Sequence, residues 1–154
     1  MKTRIAISDD IPPLKKLYDE FYAYNAEQHP NYYLPAIESG HYPQSVIDGD
    51  GGDIFVVEIK GAIVGFIHVE KDETPCFPSV TPHKFASIID FYVKPQYRKR
   101  GKGKDLLESV KEWARQRRLD YIELLVLKEN KIGQKFYERE NFETGSQTMR
   151  YILK

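Results

Sequence analysis

The stretch from Phe85 to Leu127 constrains the fold more than any other part of the chain. Phe85 to Val93 is dense in apolar, β-branched and aromatic residues and is closed by Pro95, which reads as a strand. From Gly103 to Arg118, Leu106, Leu107, Val110, Trp113 and Ala114 fall on one side of a 3.6-residue period, which predicts an amphipathic helix. Tyr121 to Leu127 is almost continuously apolar, as a parallel strand covered on both faces is. A strand, a helix and a second strand of one sheet require a right-handed crossover, so an α/β layer with a mixed sheet is expected. Between the first strand and the helix lies Arg98-Lys99-Arg100-Gly101-Lys102-Gly103-Lys104. Glycines let backbone N–H groups approach an anion with no Cβ in the way. The helix start adds unpaired N–H groups and the positive end of the macrodipole. The combination predicts a pyrophosphate cradle. It is not a Walker loop, and Leu106 stands where a dinucleotide fingerprint needs its third glycine.

The flanking segments fit the same layer. Arg4 to Ile7 is a short strand; Ser8-Asp9-Asp10 offers N-cap oxygens, and Pro12 and Pro13 suit a first helical turn. Leu14, Leu17, Tyr18, Phe21 and Tyr22 follow at helical spacing, giving an amphipathic helix whose aromatics are read as core. Residues 26 to 52 are irregular, with a short helix expected near Leu34 to Ser39, and so long a connection is often functional. Asp53 to Ile59 and Ala62 to Val69 form a hairpin around Lys60-Gly61, and a second loop runs from Lys71 to Lys84. Lys131 to Arg139 reads as a helix and Thr148 to Leu153 as a closing strand. No repeat or linker interrupts residues 1–154, so one domain is expected.

Lys+Arg and Asp+Glu are both 23, so the formal charge is zero; this argues against a polycation built for nucleic acid or an anionic membrane. No apolar run is long enough to span a bilayer, and the N-terminal residues lack the apolar stretch of a secretion signal. The single cysteine, Cys76, forms no internal disulfide, which fits a cytoplasmic protein, and it lies outside any nucleophile motif. His29, His41, His68 and His83 show no metal-ligand spacing, so no metal is expected.

Arg98-x-x-Gly101-x-Gly103 resembles the R/Q-x-x-G-x-G/A loop of the GNAT N-acetyltransferase superfamily. The preceding Ile89 to Val93 resembles the family's bulged fourth strand, Asp105 to Arg118 its third helix and Leu124 to Leu127 its fifth strand. Asn130-x-x-Gly133-x-x-Phe136-Tyr137-Glu138-x-x-Asn141-Phe142 is similar to its N-x-x-A-x-x-F-Y-x-x-x-G-F segment. Gly133 replaces the usual alanine and Asn141 the usual glycine. The likeness extends over nearly the whole chain, in order. It implies an α/β (α+β) fold: a mixed, mostly antiparallel twisted sheet of about six to seven strands flanked by about four helices.

The resemblance also implies roles. Acetyl-CoA is the co-substrate. Backbone groups of Phe91, Tyr92 and Val93 pair with its pantetheine arm as an added strand would. Arg98, Lys99, Arg100, Gly101, Lys102, Gly103 and Lys104 hold the pyrophosphate, and Asn130, Gly133 and Phe136 complete the cofactor site. Tyr137 lies near the thioester sulfur as general acid. A bulge N–H near Tyr92 or Val93 stabilises the oxyanion. Asp90 takes the proton of the incoming amine or anchors its ammonium, with Glu38, His41 and Glu70 as alternatives. Tyr32 and Tyr33, with Glu38, line the acceptor pocket. The expected acceptor is a small-molecule or lysine-type amine. Pairing through the C-terminal strand or a sheet edge, frequent in the family, would give a homodimer. Two other readings stay open: a non-catalytic acyl-CoA-binding module, and a nucleic-acid-binding domain using the basic run 94–104.

Overall fold

In a computed structural model, which describes residues 2–36 and 42–154, five strands form one sheet in the order β1-β2-β3-β4-β5. They are β1 (Lys2–Ile5), β2 (Gly52–Ile59), β3 (Ala62–Glu73), β4 (Lys84–Val93) and β5 (Ile122–Leu124). The first four are antiparallel neighbours, and β4 and β5 are parallel, joined by the helix expected between them. Four helices complete the fold: α1 (Ile11–Gln28), α2 (Gln44–Asp48), α3 (Lys102–Gln116) and α4 (Lys131–Arg139).

Alternation along the strands divides the core. Phe55 and Val57 of β2, Val64, Ile67 and Val69 of β3, and Ala86, Ile88 and Val93 of β4 pack under Leu106, Leu107, Val110, Trp113 and Ala114 of α3. Ile54, Val56, Phe66 and Tyr92 face the other way, against Leu14, Leu17, Tyr18 and Phe21 of α1 and Val46 of α2. Each such side chain, removed from water, contributes about 1.5–3 kcal/mol before chain entropy is subtracted. The one polar handle of Trp113 is satisfied, since its Nε1–H donates to Asp53 Oδ2 at 2.8 Å. Pro30 ends α1, because the residue before a proline avoids the helical region.

Several expectations need correction. The sheet has five strands among the described residues, not six to seven. Thr148 to Leu153 joins no strand, and Met149, Tyr151, Ile152 and Leu153 are 73–91% exposed. The fifth strand stops at Leu124, and Leu125 is exposed. Both are apolar runs whose strand character needs a neighbour to hydrogen-bond with, and among the described residues none pairs with them. No helix forms over Leu34 to Ala36; the short helix comes later, over Gln44–Asp48.

Asp10 ties β1 to α1. Its carboxylate accepts from both Arg4 guanidinium nitrogens, at 2.7 and 3.0 Å, and from the Ile7 N–H at 2.8 Å. The Arg4 hydrogen bonds hold the Asp10 carboxyl below its usual range. A depressed folded-state pKa gives stability that is present above the unfolded value and lost as pH falls through the folded one. Asp10→Asn is therefore expected to destabilise by about 2–3 kcal/mol at neutral pH, the lower end for a buried pair because Arg4 is partly solvated. In urea titrations the gap between parent and variant should close below the ordinary carboxylate range; a gap independent of pH would rule this out.

Candidate active site

The parallel pairing of β4 with β5 covers only Ala86–Ile88 against Ile122–Leu124. Beyond it β4 continues to Val93 while β5 has ended, so residues 89–93 present a strand edge with no strand beside it on that side among the described residues. The N-terminus of α3 and the face of α4 close around this opening. They meet at Gly103, where an added Cβ would stand 3.4 Å from Phe91 Cζ and 3.5 Å from Phe136 Cζ. Phe91, Gly103 and Phe136, distant in sequence, thus share one place.

The loop before α3 uses its glycine conformationally. Lys99 and Gly101 have φ of 60° and 77°, in the left-handed region. The first bond of α3 runs from the Asp105 N–H to the Gly101 carbonyl at 3.0 Å. The amides of Lys102, Gly103 and Lys104 are the orphan donors of the helix start, the kind of group that receives an anion. Arg98 does something else. Its Nε donates to the Val93 carbonyl at 2.7 Å, its guanidinium lies 4.3 Å from the Tyr24 ring centre, and its own N–H donates to the Pro95 carbonyl. It braces the loop against β4 and α1, and the candidate anion-facing stretch shortens to residues 99–104.

On α4, Asn130 is the N-cap: its Oδ1 accepts from the Gly133 N–H at 2.9 Å. This explains the departure at 133, because a Cβ there would stand 2.5 Å from Asn130 Nδ2. Glycine admits the folded-back carboxamide. The C-terminus is a Schellman motif, with Phe142 N–H on the Tyr137 carbonyl at 2.9 Å and Asn141 N–H on the Glu138 carbonyl at 3.0 Å. Asn141 has the left-handed φ of 68° that this turn requires. The motif packs Phe142 against Tyr137, with ring centres 5.6 Å apart, and Phe136 and Phe91 complete the surround at 5.3 and 6.4 Å. Burial pushes the Tyr137 hydroxyl above the ordinary phenol range. It therefore stays protonated at neutral pH but is a weaker acid than a free phenol.

Asp90 lies on the opposite face of β4. Phe91 turns toward α3 and α4, whereas Asp90 turns toward β3, with Oδ2 3.8 Å from His68 Nδ1. The β4 bulge is at Ile89, the extra residue between the pairs His68–Asp90 and Val69–Ile88, and not at Tyr92 or Val93. Tyr32 sits apart from Asp90, its hydroxyl 3.5 Å from Glu129 beside the α4 cap, and Tyr33 packs near His29. Glu38 and His41 lie outside the described residues. Glu70 does join the Asp90 side, through His68. The sequence reading missed His68, Tyr18 and Tyr22 as members of this group. The available signal was the period of β3, which puts Phe66, His68 and Glu70 on one face.

A sequence model of the acetyltransferase (GNAT) family matches residues 12–142. An uncharacterized N-acetyltransferase from Methanocaldococcus jannaschii is 30% identical over 140 residues, covering 91% of this chain and 59% of that protein. The chain thus spans about three-fifths of that relative's length. Among solved structures, the tetramutant of the BH1408 protein from Bacillus halodurans superposes with a TM-score of 0.89 at 22% identity, covering 99% of this chain and 100% of that one. The aminoglycoside N-acetyltransferase AAC(6')-Iy in complex with CoA superposes with a TM-score of 0.74 at 18% identity, covering 98% and 93%.

Proposed function

Because the chain belongs to the GNAT acetyltransferase family, we propose that it transfers the acetyl group of acetyl-CoA to a primary amine by direct attack in a ternary complex. The observation that carries this reading is the opening between β4 and β5, with the orphan amides of α3 at one end and Tyr137 facing it across Phe91. Residues 99–104 hold the pyrophosphate, the free edge of Phe91, Tyr92 and Val93 pairs with the pantetheine arm, and Phe136 and Gly133 form the wall. Asn130 Oδ1 is already spent on its helix, so its amide N–H groups are what it offers the cofactor.

The amine nitrogen attacks the thioester carbonyl, and the bulge at Ile89 turns a backbone amide toward the developing oxyanion. The carbon–sulfur bond then breaks, the thiolate takes the Tyr137 proton, and the proton that the nitrogen sheds on becoming an amide returns to the Tyr137 phenolate through water. A thiol of ordinary pKa ~8.5 makes that transfer uphill from a raised phenol, by about 1.4 kcal/mol per unit. Tyr137 thus first stabilises the growing charge on sulfur through a hydrogen bond and completes the transfer as the nitrogen's proton replaces its own. Asp90 binds the ammonium on the other side of the strand, which suits a small cationic or lysine-type acceptor. Calorimetry with acetyl-CoA, followed by thiol release across polyamines, aminoglycosides and lysine peptides, tests this. Binding without release supports a non-catalytic module instead, and no binding removes the reading. Salt-sensitive nucleic-acid affinity that coenzyme A leaves untouched would favour the basic-run alternative.

The reading includes a homodimer. What supports it is the exposed apolar C-terminal segment and the short β5 at the edge of the sheet. Exposed apolar runs and unpaired strand edges are where chains associate. Light scattering across a concentration series is expected to give twice the chain mass; a monomer throughout would discard the dimer.

A further inference from the structure

The sheet face turned toward α1 carries a polar cluster that the cofactor cleft does not use. His68 is wholly buried. Its Nε2 lies 3.1 Å from Glu70 Oε1 and its Nδ1 3.8 Å from Asp90 Oδ2. A carboxylate only accepts, so the short contact places the ring proton on Nε2 and leaves Nδ1 a bare acceptor. Nδ1 then faces another acceptor, Asp90, across a gap too long for a hydrogen bond. Among the described residues, the buried side-chain atoms without a partner are His68 Nδ1, Tyr18 Oη and Asp19 Oδ1. Burial and the nearby Asp90 charge push the Tyr18 hydroxyl up, so it remains a neutral donor. The ionisable groups around the ring are Glu70 on β3, Asp90 on β4, Tyr18 and Tyr22 on α1, and Tyr42 ahead of α2, whose ring centre is 5.9 Å from His68. Folded proteins satisfy nearly all buried polar atoms, so an orphaned Nδ1 facing a carboxylate points to a group that arrives from outside. The missing element between Nδ1 and Asp90 is a proton.

We propose that His68 holds the proton given up by the acceptor amine: Asp90 receives it from the bound ammonium and passes it to His68 Nδ1, while Glu70 orients the ring through Nε2. This rests on the reading of the protein as an amine acetyltransferase. The steps balance. The ammonium loses one proton and becomes the neutral nucleophile. Asp90 gains that proton and loses it again, and His68 ends as an imidazolium between two carboxylates. After the amide departs, the proton returns through Asp90 to water entering the emptied site. The reason for an imidazole behind the carboxylate is the mismatch in basicity. An imidazole is intrinsically a stronger base than a carboxylate, so a ring nitrogen facing Asp90 is the better resting place for the proton. The side-chain exposures, 0% for His68, 20% for Asp90 and 41% for Glu70, put the holding site in the core and its partners at the rim. His68 is a positioning and proton-holding residue; it need not touch the substrate.

The test is His68→Gln, which keeps an amide N–H for Glu70 but accepts no proton at neutral pH. With saturating acetyl-CoA and spermidine, kanamycin or a blocked lysine peptide as acceptor, kcat/KM near neutral pH should fall about 10²-fold. The loss should shrink as pH rises toward the pKa of the amine, which then arrives neutral. Acetyl-CoA affinity by calorimetry should hold. Glu70→Gln should move the profile the same way by less. A folded His68→Gln with the parent pH profile overturns the proposal. Should that variant fail to fold, nitrogen NMR of the unaltered protein decides: a resting ring with its proton on Nδ1 overturns it, and one with its proton on Nε2 upholds it. A parent chain that turns over none of the amines removes the acetyltransferase reading and this proposal together, whereas turnover unaffected by His68→Gln removes this proposal alone.

Discussion

Tyr137→Phe should lower kcat by about 10²–10⁴ while leaving acetyl-CoA affinity nearly intact. Phenylalanine keeps the ring contacts with Phe91, Phe136 and Phe142, so the wall of the cleft survives and only the hydroxyl is lost. Removing a hydroxyl from a half-buried site also removes its desolvation cost, so thermal stability should be equal or slightly higher. The alkaline limb of the pH–rate profile carries a second signature. Burial raises the Tyr137 ionisation, so the limb should not report it in the parent, and the variant should keep the same limb at lower amplitude. Stopped-flow thiol detection with an active acceptor measures both. Unchanged turnover would make Tyr137 a packing residue only.

Gly101→Val should act on the cofactor instead of the chemistry. No atom lies within 4 Å of a Cβ built at this residue, so the variant meets no clash. The cost is conformational, because φ of 77° is a region a β-branched residue avoids by about 1–2 kcal/mol. Relief of that strain rotates the peptide entering α3 and moves the amides of Lys102 to Lys104 off a common target. Acetyl-CoA should bind about tenfold to a hundredfold more weakly, which is the loss of one or two charge-assisted hydrogen bonds. Global stability should fall only by the strain itself. Calorimetry and a urea titration on one preparation separate the two effects, and a variant that binds the cofactor like the parent would show that these amides do not hold it.

Much of this architecture was legible because it is local or periodic. Leu106, Leu107, Val110, Trp113 and Ala114 declared the buried side of α3, and those residues are its core. Asn141 stood where a left-handed turn was required, and the Schellman geometry there fixes Tyr137. The helix expected from Gly103 begins one residue earlier, at Lys102, with Gly101 as its N-cap. The failures share one cause. Leu125 to Leu127 and Thr148 to Leu153 have strand composition, but a strand exists only beside another, and the described residues offer those segments none. For Arg98 the resemblance implies a backbone N–H on the pyrophosphate; in the structure that N–H donates to the Pro95 carbonyl, and the guanidinium is placed by the Val93 carbonyl and the ring of Tyr24.

The sequence by itself determined the mixed layer, the crossover from β4 to β5, the glycine-led loop that opens α3 and the aromatic residue facing it from α4. The first three follow from spacing within a few turns or from the handedness of a single unit, and the last from the resemblance of residues 130–142 to the family's segment. The tertiary structure alone decided which face of β4 each side chain serves. A one-residue bulge at Ile89 shifts the register there, and with it Asp90 meets His68 while Phe91 meets Gly103 and Tyr137. Side chains alternate with a period of two, so a single extra residue reassigns all that follow, and nothing in the composition of β4 states where that residue falls.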